Sequence, residues 1–302
     1  MPSRASSLFT HFGQGLLMGG ADIIPGVSGG TMALIVGIYE RLVASVSSGF
    51  RGVLALLRLR GAEARAHFAA VAWGLILPLG AGIATALLIG ARFIPHLLET
   101  YPMQCRGLFF GLIAASLVIP WQRLGERGGR MLTLAVVAMG VAFVLTGLPP
   151  NTLPDPAPWQ IFAGAAVAIC AMILPGVSGS FLLLVLGLYE PTLRAVDGRD
   201  LPYVLTFMAG AAVGIGLFSI VLTHLLRRYH DVTMATLVGL MAGSLRALWP
   251  WQTDDRVLQL PAHGDPVVSV LLLGLLGFAL VTVLHRWSVR RLREADLLHV
   301  ER

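Results

Sequence analysis

The sequence predicts an all-α integral membrane protein built from two inverted-topology repeats, each a re-entrant broken-helix hairpin plus three transmembrane helices. Three observations carry that prediction. Only 13% of the 302 residues are charged and 56% are hydrophobic, with a mean hydropathy of +0.78, whereas soluble domains average roughly 25% charged residues. Apolar runs at 68–90, 131–148, 201–225 and 267–284 reach the ~18 residues that mark a membrane-spanning helix. Finally, the stretch Ala21-Asp-Ile-Ile-Pro-Gly-Val-Ser-Gly-Gly-Thr31, running on to Gly37-Ile-Tyr-Glu40, returns as Ala171-Met-Ile-Leu-Pro-Gly-Val-Ser-Gly-Ser-Phe181, running on to Gly187-Leu-Tyr-Glu190, at a constant offset of 150.

The duplication divides the chain into a first repeat, 1–150, and a second, 151–302. A weaker echo follows in each half: 111–117 (GLIAASL) and Pro-Trp-Gln at 120–122, then 239–245 (GLMAGSL) and Pro-Trp-Gln at 250–252. The first repeat is expected to hold a hairpin over 12–45 and spans at 66–94, 104–121 and 130–148. The second holds a hairpin over 158–190 and spans at 202–226, 232–249 and 267–285. Each hairpin breaks at its proline, Pro25 or Pro175, because proline lacks a backbone donor and clashes with the preceding turn, while the neighbouring glycines admit non-helical geometry. The flanking pieces run about 12 residues, which at ~1.5 Å per residue reaches only mid-bilayer.

Arginine counting decides whether those pieces cross or turn back. If both hairpins turn back, sixteen of the 22 arginines fall on one side; if both cross, the two sides come out nearly even. The asymmetry of the positive-inside rule selects turning back, with both termini cytoplasmic. Three crossings per half then give the halves opposite orientations, the arrangement in which interrupted segments at matching positions mark a transporter's substrate site. The N-terminal apolar stretch continues through the Pro-Gly loop and is not expected to be cleaved as a signal peptide.

Composition also excludes chemistries. The chain has no lysine, so it has neither a Walker-type phosphate loop nor a Schiff base. The arginines lie scattered in short loops and form no nucleic-acid-binding block. Cys105 and Cys170 lie inside apolar stretches and are expected to be free buried thiols. No metal, cofactor or catalytic group is expected.

Each Pro-Gly-Val-Ser-Gly loop frees backbone N–H groups where a new half-helix begins, an arrangement suited to phosphate or carboxylate. Candidate anion-binding residues are Gly26, Ser28, Gly29, Gly30 and Thr31 in the first loop and Gly176, Ser178, Gly179 and Ser180 in the second. The plainer role for the serines is helix capping. Asp22 is the one carboxylate expected deep in the bilayer, and its counterpart is Met172. It either takes up a proton during transport, making protons a coupling ion, or pins loop N–H groups. Glu40 and Glu190 are expected to end the rising half-helices near opposite interfaces, followed by Arg41 and Arg194, as gating or merely interfacial charges. Arg106 and Arg246, at the outer ends of spans, either snorkel or meet a phosphate. Gly107/Gly111, Gly210/Gly214 and Gly239/Gly243 suit close helix packing.

The paired loops, each followed by Gly-x-Tyr-Glu, and the opening 19–31 in particular, resemble the bacterial polyprenyl-phosphate transporter family, formerly known only as a domain of unknown function. The resemblance extends over roughly 10–285. It implies a flippase of the inner membrane that returns undecaprenyl phosphate, a lipid carrier of cell-wall biogenesis, from the outer to the inner leaflet. The residues alone favour a phosphorylated head group; the isoprenoid tail comes from the resemblance. A secondary transporter of a small soluble anion is an alternative. So is an intramembrane serine protease using Ser28, since Gly26-Val-Ser-Gly29 fits a rhomboid-like Gly-x-Ser-Gly, although His67, His224 and His285 all lie at span ends, away from it.

Overall fold

The computed structural model describes residues 4–23, 28–253 and 255–300. Among these the secondary structure is helical, apart from an isolated β-bridge between Gln252 and Leu258. The first half runs α1 (Arg4–Asp22), α2 (Gly29–Ile35), α3 (Tyr39–Leu57), α4 (Gly61–Ala69), α5 (Trp73–Thr100), α6 (Pro102–Ser116), α7 (Val118–Gln122) and α8 (Gly129–Leu145). The second runs α9 (Pro158–Ile173), α10 (Gly179–Val185), α11 (Tyr189–Asp197), α12 (Leu201–Arg228), α13 (His230–Ser244), a 3₁₀ turn (Leu245–Leu248) and α14 (Val267–Val300).

Local chemistry explains the helix ends. Pro102, Pro158 and Pro202 begin α6, α9 and α12, where a missing N–H costs nothing. Asp200 Oδ1 accepts from Tyr203 N at 3.1 Å to cap α12, whose last turn carries Arg227 and Arg228 against the negative helix end. The helix break expected at Pro175 is present, since α9 stops at Ile173 and α10 starts at Gly179. Pro25 lies outside the described residues, between the end of α1 and the start of α2.

The packing interlocks the halves. Within each half the 28-residue helix lies on the helix before the break, α5 on α1 and α12 on α9. The 15-residue helices α6 and α13 are instead each held by the last helix of the other half, α14 and α8. Small residues make these approaches close, as expected. A Cβ at Gly111 would meet the Gly274 backbone, one at Gly210 the Phe162 backbone, and one at Gly239 the Ala135 backbone. At the centre lies α2, with Gly29 to Leu34 all buried, in one hydrophobic core with Met234, Leu237 and Met241 of α13.

Two expectations are corrected. The span placed at 66–94 is two helices, because the polar segment of Glu63, Arg65 and His67 forms α4 and the chain breaks at 70–72, where Ser45 Oγ accepts from Ala72 N at 3.3 Å. The half-helices also end before their glutamates. Gly37 and Gly187 adopt φ of +78° and +76°, and the following amides close back at 2.9 Å (Ile38 N to Ala33 O) and 2.8 Å (Leu188 N to Leu183 O). These are glycine-terminated C-caps, so Glu40 and Glu190 open α3 and α11 instead. The α10–α11 pair bends by 105° in a re-entrant geometry. Of the expected spans, those of α5, α6–α7, α12 and α13 with its 3₁₀ turn have full crossing length among the described residues, or five segments with the bent pair counted as one span. The 17-residue α8 comes to ~26 Å against a core of ~30 Å, while α14 runs for 34 residues, Val267–Val300.

Candidate functional site

The two broken helices meet in the middle of the molecule. Ser28 is extended (φ −128°, ψ 136°), and its Oγ accepts from Gly30 N at 3.1 Å, capping α2. The same hydroxyl donates to Met172 O at 2.9 Å, at the C-terminal end of α9. One turn on, Thr31 Oγ1 accepts from Gly176 N at 2.8 Å. Gly30 lies so near the second hairpin that an added Cβ would be 2.5 Å from Ile173 O. Gly176, at φ +87°, presses against the backbone of Met241 and the hydroxyl of Ser244 on α13. The second loop is thus held between Thr31 on one side and α13 on the other.

These contacts change what the loops offer a ligand. Asp22, the last residue of α1, accepts from Gly29 N through Oδ1 at 2.7 Å. With Gly30 N on Ser28 Oγ and Thr31 N on Ser28 O at 2.9 Å, the first donors of α2 are satisfied by the chain's own oxygens. The Asp22 carboxylate occupies the place an incoming anion would take, which is the pinning role considered for it. In the second loop Ser178 Oγ is 2.9 Å from Ser180 Oγ and does not cap α10. Gly179 instead lets Met172 and Ala168 of α9 come close. Gly26 lies outside the described residues.

Asp22, Gly29 and Gly30 line a cavity of about 200 Å³ together with Tyr39, Met172 and Ile215. Tyr39 is 1% exposed, and its hydroxyl has no hydrogen-bond partner. Sequence reading used Tyr39 only as part of the repeat, since its burial depends on the turn at Gly37. No histidine lines this cavity, and the Ser28 hydroxyl is engaged by backbone groups, so a serine–histidine pair is not assembled there.

The remaining candidates lie away from this crossing. Glu40 is 3.5 Å from Arg123 Nη1 and 3.8 Å from His230 Nε2, joining the start of α3 to the loop after α7 and to α13. Arg41, Glu190 and Arg194 are exposed, and Glu190 forms no ion pair among the described residues. Arg246 donates from Nη1 to Phe143 O at 3.0 Å, and its guanidinium lies 4.6 Å from the Phe143 ring centroid. Arg106 faces Arg256, an arginine that no motif singled out. Arg256 stacks at 4.2 Å on the ring of Phe181 in α10, and burial, then the Arg106 charge, holds its pKa below the usual arginine range. Cys105 and Cys170 are free.

The family described as VCA0040-like, undecaprenyl phosphate translocase-like, matches residues 18–265. The chain is a member of the undecaprenyl phosphate translocase-like family. The match spans both crossing loops and the three arginines Arg106, Arg246 and Arg256. Among relatives, a polyprenyl-phosphate transporter of Vibrio cholerae is 37% identical over 252 residues, which is 83% of this chain and 81% of that protein. A polyprenyl-phosphate transporter of Staphylococcus aureus is 27% identical over 264 residues, 81% of this chain and 87% of the other. No solved structure matches the chain. As an undecaprenyl phosphate translocase-like protein it is a multi-pass membrane transporter rather than an enzyme, which removes the protease alternative.

Proposed function

We propose that the protein translocates undecaprenyl phosphate, a polyprenyl phosphate carrier lipid, across the bacterial inner membrane. The direction is from the outer to the inner leaflet, recycling the carrier for cell-wall synthesis. The observation that carries the proposal is the crossing of two matching broken helices at the centre of a chain whose relatives are named polyprenyl-phosphate transporters. Broken helices at membrane depth are tolerated where they are buried in protein or line a polar path.

The proposed topology places the two halves in opposite orientations, each a hairpin and three crossings. Contacts between segments assigned to one side support it. Glu40, Arg123 and His230 come together on the cytoplasmic side, and His285 Nε2 lies 2.8 Å from Gln122 Oε1 there as well. On the other side Leu153 N donates to Gly187 O at 2.9 Å, and Arg256 reaches Phe181.

In this mechanism the phosphate passes the loop crossing, and the obstacle is Asp22. Its carboxylate and a phosphate compete for the N–H of Gly29, and two anions there repel each other. Protonation of Asp22 removes the repulsion and frees the amide, which couples lipid movement to protons. The decisive experiment is transport of labelled undecaprenyl phosphate between leaflets of proteoliposomes, with and without a proton gradient. Asp22→Asn, which is neutral at every pH, should leave transport indifferent to the proton gradient, whereas Ser28→Ala and Arg246→Ala should each slow it by about tenfold or more, the loss expected for a charge-assisted hydrogen bond of ~1.5–3 kcal/mol. No protein-dependent movement by correctly folded wild type, together with uptake of a soluble phosphate or carboxylate, would replace this reading with small-anion transport.

A further inference from the structure

A groove on the membrane-facing side of α8 and α13 combines two features that neither helix packing nor capping requires together. It encloses about 560 Å³, and its wall includes Phe110, Gly140, Phe143, Leu245, Trp249 and a single charged residue, Arg246. The adjoining surface of α8 is apolar and exposed at Val136, Val137, Val141 and Val144, so the groove opens toward lipid hydrocarbon. Beyond the edge-to-face pair of Phe110 and Trp249, whose centroids are 6.0 Å apart, a second hollow of about 270 Å³ continues without any charged residue.

Arg246 is only half used by the protein. Its Nη1 donates to Phe143 O at the C-terminal end of α8, which is ordinary capping by a cation. Its Nε is buried and has no partner, a condition that costs ~1–3 kcal/mol, and more for a charged group. The Nε–Nη2 edge of a guanidinium is a planar pair of donors matched to two phosphate oxygens. The guanidinium itself is admitted by Gly147, where any Cβ would collide with it. A cap alone needs no groove, and an apolar groove alone needs no cation. An amphiphile with an anionic head and a long apolar tail needs both.

We infer that this groove holds the isoprenoid chain of a polyprenyl monophosphate, with the phosphate on the guanidinium of Arg246; the inference rests on the lipid-phosphate reading above and names where that lipid first docks. The position suits onward movement. Ser244, on the opposite side of the same turn, lies against Gly176, so the width of one helix separates the groove from the second loop, whose other face is held by Thr31.

The test uses the full-length protein in liposomes of phosphatidylethanolamine and phosphatidylglycerol, with an undecaprenyl phosphate analogue bearing a photoreactive group on its isoprenoid chain. Labelled peptides should come from 139–144 and 245–249. Gly140→Trp should cut that labelling at least tenfold. Gly140 lines the groove, and an added Cβ there meets nothing within 4 Å, so this variant should fill the groove and keep the wild-type unfolding temperature. Arg246→Gln should cut labelling similarly, and unphosphorylated polyprenol should compete poorly. Unchanged labelling in Gly140→Trp, labelling confined to α1 and α5, or equal labelling by a photoreactive phosphatidylglycerol would overturn the inference. If the groove is labelled but wild type moves no lipid, the transport proposal fails and the docking site stands; if lipid moves and Gly140→Trp labels normally, the reverse holds.

Discussion

Thr31 and Gly176 show how single residues hold the crossing together. The Gly176 amide is buried, and its acceptor is the Thr31 hydroxyl at 2.8 Å. Thr31→Val keeps the shape and removes the acceptor, so it should cost ~1–3 kcal/mol, read as a lower unfolding temperature in detergent, with Thr31→Ser restoring most of it. Gly176→Ala should cost at least as much, because φ is +87° and the new Cβ would lie 2.5 Å from Met241 Cα. Gly20→Ala, where a Cβ meets nothing within 4 Å, should be neutral or gain up to ~1 kcal/mol of helix propensity. At this scale the sequence pointed to residues that meet at the crossing, with a different immediate reason for their identity. Gly30 and Gly176 were read as openings for a head group, and the space they leave is taken by the opposite loop and by α13. Asp22 was left open between two roles; its 2.7 Å contact with Gly29 N is the pinning contact of the folded state, and its protonation belongs to the transport proposal.

Among the elements, the half-helices carry the most information. Their start was legible, because proline and glycine act on their own backbone; their end was not. Gly37 and Gly187 sit in otherwise apolar runs, and nothing local announces that each closes a seven-residue helix. The two turns share a backbone conformation and differ in surroundings, which sets up a comparison. A Cβ at Gly187 would lie 2.8 Å from Leu153 N, whereas one at Gly37 would meet only Arg123 Nη2 at 3.9 Å. Gly37→Ala should therefore cost only the left-handed penalty of ~1 kcal/mol, and Gly187→Ala should cost measurably more, by thermal unfolding of the two variants side by side. The halves also diverge in length: α3 has 19 residues and packs on α12, while its counterpart α11 has nine. A repeat detected in sequence thus need not remain a symmetric pair of elements.

For the molecule as a whole, the exchange of helices between halves, α6 onto α14 and α13 onto α8, means that neither half completes its packing alone. The proposed opposite orientation has a direct check. With Cys105 and Cys170 replaced by alanine, Glu126→Cys should react with a membrane-impermeant maleimide only after the cytoplasmic face is opened, and His263→Cys should react in intact spheroplasts. Both side chains are exposed. Reaction of both from the same side would overturn the orientation and, with it, the symmetric hairpins. Membrane residence, all-helical architecture, the duplication and the two breaks were determined by the sequence itself, because each follows from composition, run length or the covalent limits of proline and glycine, which act within a few residues. The tertiary structure decided which polar groups are satisfied and which are left over. Gly29 is matched to Asp22, Gly176 to Thr31 and Arg256 to Phe181, while Tyr39 and the Nε of Arg246 are left without partners. Two of these relations, Gly176 with Thr31 and Arg256 with Phe181, join segments more than seventy residues apart, and a hydrogen bond is made or missed by displacements of less than an ångström, a scale that only the packed fold sets.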